Sequence, residues 1–123
     1  MLLFSILISL KSYGELIEVS SSDSSTVYIF NDSIRVHNGN IFWWELNDYV
    51  RVDSVGNLSN QMYKEGDCGI YRHRILSFVF YKQSMGNGDG ETSAPVGKNG
   101  DWKYPSPGTL AANSLRYACD YQN

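Results

Sequence analysis

One cysteine, one histidine and two arginines fall close together at residues 68–74, within the segment EGDCGIYRHRI at residues 65–75. Cys68 and His73 could act as a nucleophile and its base if their side chains lay within hydrogen-bond reach. On a regular strand, however, side chains five positions apart point to opposite faces. We therefore expect Cys68 to form a disulfide with Cys119, the only other cysteine of the chain.

Metal and phosphate sites are not favoured by the other polar residues. A zinc site needs three or four ligands, and no closely spaced pair of cysteines or histidines occurs. The segment GNGDGE at residues 86–91 lacks the lysine of a phosphate-binding loop and has too few carboxylates for a calcium loop. We expect this segment to be a hairpin loop and the protein to carry no metal or cofactor.

Arg72 and Arg74 lie two positions apart and therefore share one face of a strand. Together they could bind a carboxylate or a phosphate group. The interpretation that we favour is a pair of salt bridges to neighbouring strands, with Glu45 and Asp48 as candidate partners. An enzyme that used both arginines and His73 would need a pocket in which the three side chains converge.

Aromatic side chains are the strongest candidates for a binding surface. Trp43 and Trp44 are adjacent, so on a strand they face opposite ways, and either one of them is exposed or both are covered. The segment DWKY adds Trp102 and Tyr104. Exposed aromatic residues mark interaction sites. The candidate binding surface comprises Trp43, Trp44, Arg72, Arg74, Trp102 and Tyr104.

The elements that must position these residues are mostly strands. The pair Asn38-Gly39 is a preferred two-residue hairpin turn, and the segment at residues 70–81 alternates polar and apolar residues before becoming mostly apolar. Thr109 can cap a C-terminal helix whose small apolar residues recur on one side and carry Cys119 inward. The sequence thus predicts an α+β fold: an antiparallel sheet of five or six strands with one C-terminal helix packed on it and tethered by a disulfide.

Length and charge restrict the class of protein. The 123 residues suffice for one domain, and the net charge of −3 with scattered basic residues argues against nucleic-acid binding. Residues 2–10 are mostly apolar but too few to span a membrane, and small residues follow at Ser12 and Gly14. We predict a signal peptide at residues 1–14 and a single domain at residues 15–123, the alternative being a buried first strand.

Several short motifs follow one another in a fixed order along the chain. They are VYIFNDSI, then EGDC followed by YRHRILSF, then YKQSMGNGDGE, and finally WKYPSPGTLAANSLRYAC. In this order they resemble the surface-adhesin protein E-like family of small exported bacterial proteins. The likeness covers about residues 16–119. Its matching positions are Tyr28, Ser33, Ile34, Cys68, Arg74, Leu76, Ser77, Met85, Gly86, Gly88, Trp102, Pro107, Gly108, Thr109 and Cys119.

The resemblance implies an antiparallel sheet whose C-terminal helix is held by the Cys68–Cys119 disulfide. It also implies an exported, non-enzymatic protein of the bacterial envelope, located in the periplasm or at the cell surface. The partners that it implies are proteins, host matrix proteins among them, and it allows a homodimer. The resemblance supplies no catalytic residues.

Overall fold

Seven antiparallel strands and one α-helix form the regular structure of residues 15–121, the part of the chain that the computed structural model describes. The predicted signal peptide at residues 1–14 lies outside the described residues. The strands are β1 (Leu16–Ser21), β2 (Ser25–Phe30), β3 (Arg35–His37), β4 (Asn40–Tyr49), β5 (Ser59–Asp67), β6 (Arg72–Tyr81) and β7 (Glu91–Ser93), and the helix α1 is Leu110–Tyr121. Short 3₁₀ turns occur at Asn31–Ser33, Ser84–Gly86 and Gly97–Gly100.

The strands form a single sheet with the order β1-β2-β4-β5-β6-β7, and β3 pairs with the start of β4 beside β2. The prediction of an antiparallel sheet with one C-terminal helix is confirmed. The described sheet has seven strands where five or six were expected, and two of them, β3 and β7, have only three residues each. The segment DWKY pairs with β6 through a single bridge, between Lys103 and His73.

The hairpin between β3 and β4 turns at the predicted position. Asn38 and Gly39 both have positive φ angles, 51° and 83°. That combination is the requirement of the tight two-residue turn whose twist matches antiparallel strands. The turn fixes the pairing of Arg35 with Phe42 and of His37 with Asn40.

A β-bulge in β6 changes which residues share a face. Opposite β5, Lys64 pairs with Ile75 and the preceding Tyr63 pairs with Ser77, so Leu76 is an extra residue. A bulge of this kind reverses the in-and-out alternation beyond it. A regular alternation of faces along residues 70–81 therefore holds only up to Ile75.

The core lies between the sheet and α1. It contains Ile29, Ile34, Ile41, Trp43, Leu115, Ala118 and Cys119. A close approach at Gly66 allows the helix to reach the sheet, since a Cβ atom there would lie 2.7 Å from Leu115 Cδ1 and 2.9 Å from Trp43 Cζ3. The helix begins as predicted, because the Thr109 hydroxyl oxygen accepts a hydrogen bond from the Ala112 amide at 3.2 Å.

The disulfide between Cys68 and Cys119 is present, with the two Cα atoms 5.9 Å apart. Cys68 does not lie within a strand. It lies in the exposed turn between β5 and β6, where Tyr71 adopts a positive φ of 69°. The disulfide therefore joins a hairpin turn to the last turns of α1.

The sheet has two unlike faces. We call the side covered by α1 the helix face and the other side the distal face. The distal face carries Phe42, Trp44, Leu46, Gln61, Tyr63, Glu65, Arg72, Arg74, Ser77, Val79 and Tyr81, as the cross-strand pairings show. The glycine-rich loop after β6 covers part of this face, because a Cβ atom on Gly90 would lie 2.5 Å from Val79 Cγ1.

Candidate functional site

A row of aromatic rings crosses the distal face. Tyr63 lies between Phe42 and Trp44, with ring centroids 6.1 Å and 5.0 Å away and both pairs stacked. The His37 ring meets Phe42 edge-on at 6.3 Å. Phe42, Trp44 and Tyr63 are each only partly buried. The four residues, which we call the aromatic row, give the molecule a rigid and partly exposed apolar surface.

A second cluster lies beside the aromatic row at the edge of β6. The guanidinium carbons of Arg72 and Arg74 lie 4.1 Å and 4.5 Å from the centre of the Trp102 ring. Contacts of this kind are cation–π interactions. Trp102 is held there because its neighbour Lys103 pairs through its backbone with His73 of β6. The neighbouring Tyr104 is exposed and lies against Arg72.

Both arginines form ion pairs, as expected, but the predicted partners are wrong. Arg72 pairs with Asp67 at 3.2 Å and Arg74 with Glu65 at 2.8 Å, rather than with Glu45 or Asp48. The reason is the register of β5 and β6, which places each arginine directly opposite its carboxylate. The hydrogen bond to Tyr104, followed by the interactions with Asp67, raises the pKa of Arg72 above its ordinary value.

The structure separates the two adjacent tryptophans. Trp43 is 0% exposed and packs under α1, whereas Trp44 lies on the distal face. The expectation that Trp43 belongs to the binding surface is wrong, because Trp43 lies on the side of β4 that the helix covers. The remaining members of the predicted surface lie on the distal face or at its edge.

Beneath α1, the apolar core gives way to a buried polar cluster centred on Glu45. The Glu45 carboxylate forms an ion pair with Lys64 at 3.2 Å, and both residues are almost completely buried. It accepts hydrogen bonds from Trp43, Asn47 and the Ser114 hydroxyl of the helix. Burial by itself would raise the pKa of Glu45, but Lys64 and these donors hold it below its ordinary value.

His73 belongs to this buried layer and is only 4% exposed. It lies on the helix face, whereas Arg72 and Arg74 lie on the distal face. The three side chains therefore do not converge, and the hypothesis of an enzyme built on them loses its geometric basis. Cys68 is likewise unavailable as a nucleophile, since it is bonded to Cys119.

The buried imidazole predicts a loss of stability in acid. Desolvation, assisted by the nearby Lys64 and opposed by Glu45, lowers the pKa of His73 from 6.5 to about 4. Below pH 6.5 the His73 imidazole becomes protonated in the unfolded chain but stays neutral in the folded protein. The free energy of unfolding therefore falls as the pH falls. This penalty grows down to about pH 4 and then levels off, at about 3 kcal/mol.

We expect urea unfolding at pH 7 and pH 4.5 to show this effect by comparison with the His73→Gln variant. The glutamine cannot titrate, so the variant should lose about 2–3 kcal/mol less than the parent protein over that interval. The carboxylates common to both proteins cancel in the comparison. An equal pH dependence in the two proteins would show that His73 does not contribute.

No group of three or more His, Cys, Asp or Glu side chains that could hold a metal ion occurs within residues 15–121. In the same part of the chain, no helix has both the length and the apolar character needed to cross a membrane.

Some members of the distal surface are not evident from the sequence. Tyr63 carries no sequence signal of its own, because its position next to Trp44 depends on the pairing of β4 with β5. Arg35 and His37 also lie on this face, opposite Phe42 and Asn40. The Asn38-Gly39 turn, which fixes their register, was the signal from which their placement could have been inferred.

Comparisons with known proteins give a consistent result. The family model described as surface-adhesin protein E matches residues 16–120 of this chain. No curated protein sequence matches this chain.

Several solved structures share the fold. A second crystal form of Haemophilus influenzae protein E has a TM-score of 0.64 and 21% identity, with 88% of this chain and 90% of that chain covered. Protein E from non-typeable Haemophilus influenzae has a TM-score of 0.57 and 19% identity, with coverage of 87% and 77%. A further protein E structure from Haemophilus influenzae gives 0.56 and 16%, with coverage of 87% and 95%.

Proposed function

Since this chain belongs to the surface-adhesin protein E family, we propose that it is an exported, non-enzymatic protein of the bacterial envelope that binds other proteins through its distal face. The disulfide supports export, because such bonds persist mainly in oxidising compartments outside the cytoplasm. The predicted signal peptide at residues 1–14 is consistent with the same route.

The aromatic row is the observation that carries the proposed binding function. Aromatic side chains that remain partly exposed on a rigid sheet provide a large contact area at a small cost in conformational entropy. Tryptophan, tyrosine and arginine are also the residues that contribute most often to binding energy at protein interfaces. The distal face presents Trp44 and Tyr63 beside Arg72, Arg74 and Trp102.

A second candidate function is that of an adhesin displayed on the cell surface and directed at host matrix proteins. The description of the family as a surface adhesin favours it. The two candidates differ in the source of the partner and in location, since a periplasmic protein would meet only envelope components. Protease treatment of intact cells distinguishes them, because only a displayed protein is cleaved.

We expect replacement of both Trp44 and Tyr63 by alanine to weaken binding about 10-fold or more. The measurement is retention of the purified protein on two immobilised preparations, a solubilised bacterial envelope and an extracellular matrix. Loss of the two stacked rings removes the centre of the aromatic row and leaves the helix face untouched. A urea unfolding curve verifies that the variant is folded.

Val96→Ala is the matched control, because Val96 is an apolar residue that is 76% exposed and lies outside the aromatic row. It should bind like the parent protein. Equal retention of the parent and of the double variant on both preparations would contradict the proposed role of the distal face. Retention on the matrix alone would support the adhesin.

A further inference from the structure

At the end of the aromatic row next to the β3–β4 turn, the distal face forms a shallow cavity. Its volume is about 290 Å³, and it is lined by Arg35, Val36, His37, Phe42 and Tyr63. Phe42 and Tyr63 supply an apolar floor, while Arg35 and His37 supply a polar rim. The cavity is thus suited to a group that is apolar on one side and anionic on the other.

Arg35 is the cation that gives this cavity its charge preference. Its guanidinium donates one hydrogen bond, to the Asp32 carbonyl oxygen at 3.1 Å. None of the ion pairs among residues 15–121 involves Arg35, whereas Arg72 and Arg74 are each neutralised by a carboxylate. An exposed guanidinium without an acidic partner, next to aromatic rings, favours binding of a carboxylate.

The backbone of β3 adds a feature that distinguishes one kind of anion from another. Within the described sheet, β3 pairs only with β4, so its other edge is open. In this two-residue hairpin, His37 and Asn40 form the hydrogen-bonded pair next to the turn. The N–H and C=O of Val36 therefore point away from β4, and its side chain is 55% exposed.

We propose that this corner of the molecule binds an extended peptide segment of a partner protein, which pairs with Val36 and places an acidic side chain against Arg35. The proposal rests on the proposed function and specifies the chemistry of its partner. An added strand satisfies the open edge of β3, and its alternate side chains fall beside Arg35 and His37. An acidic sugar could meet Arg35 but would leave the Val36 backbone unused.

The charges around the cavity are compatible with an incoming carboxylate. The neighbouring acidic group on this face is Glu65, which accepts a hydrogen bond from Asn40 at 2.8 Å and is paired with Arg74. Its charge is thus largely compensated. Asp32 faces Arg35 through its backbone carbonyl, which leaves the guanidinium charge available.

The test uses the domain at residues 15–123 and a heptapeptide of alternating valine and glutamate. A matched peptide has glutamine in place of glutamate. Binding is followed by the backbone amide signals in NMR titrations. We expect a dissociation constant of about 0.1–1 mM for the glutamate peptide, with shifts centred on Arg35, Val36 and His37. Arg35→Gln should weaken binding of the glutamate peptide about 5-fold and leave the glutamine peptide unchanged.

Two further variants test the backbone contact. Val36→Pro removes the N–H that points away from β4, so it should abolish binding of both peptides without disturbing the sheet. Val36→Thr keeps the N–H and should bind like the parent protein. Full binding by the proline variant, or no binding of either peptide to the parent protein, would overturn the proposal.

The sugar 3′-sialyllactose is the competing probe. Shifts of Arg35 with this sugar, at an affinity equal to or above that of the peptide, would assign the site to acidic carbohydrate and overturn the peptide proposal. Failure of the peptide test, combined with loss of retention on replacing Trp44 and Tyr63, would exclude this subsite while leaving the binding function of the distal face in place.

Discussion

Replacement of Glu45 by alanine should lower the free energy of unfolding by about 3–5 kcal/mol. The Glu45 carboxylate is the counter-ion of Lys64 and the acceptor for Trp43, Asn47 and Ser114 in a layer where Glu45 and Lys64 are almost completely buried. Its removal leaves a buried ammonium group without a counter-ion and three buried donors without this acceptor. Each of these groups then carries a desolvation cost that no new interaction offsets.

Combining Glu45→Ala with Lys64→Met separates the cost of the unpaired Lys64 charge from the cost of lost side-chain packing. Once the ammonium group is absent, Glu45→Ala should cost less, by about 2 kcal/mol or more, because no charge is stranded in the core. Urea unfolding of the four proteins at pH 7 measures this coupling. If the two costs simply add, the ion pair does not control the stability of this layer, and the loss is due to packing alone.

The elements that follow from local patterns could be predicted from the sequence. The Asn38-Gly39 turn, the cap at Thr109 and the stripe of small residues along α1 each depend on residues close together in the chain, and the structure confirms them. The pairing of Cys68 with Cys119 was also predictable, because the chain has only two cysteines.

The features that depend on pairing between strands could not be read from local patterns. The bulge at Leu76 gives no sequence signal, yet it decides which aromatic residues of β6 lie on the helix face of the sheet. Likewise, Asp67 and Glu65 pair with Arg72 and Arg74 only because β5 lies beside β6 in one register. Glutamate and lysine usually lie at the surface, so the burial of Glu45 and Lys64 is evident only from the position of α1.

Loss of the disulfide should destabilise the protein by about 4 kcal/mol. The bond closes a loop of 51 residues, and on the chain-entropy estimate its removal increases the freedom of the unfolded chain by that amount. Domains of this size are typically stable by only about 5–15 kcal/mol, so the loss is a large fraction of the total. Urea unfolding of the parent protein, with and without dithiothreitol, measures it.

The two cysteines differ in a way that separates the tether from local packing. Cys68 is exposed in a turn, whereas Cys119 is 8% exposed in the core beside Leu115 and Ala118. If the bond acts as a tether, Cys68→Ala and Cys119→Ala should cost nearly the same, and dithiothreitol should have no further effect on either. A small loss for Cys68→Ala with a large loss for Cys119→Ala would assign the stabilisation to packing under α1, because only the second change removes atoms from the core.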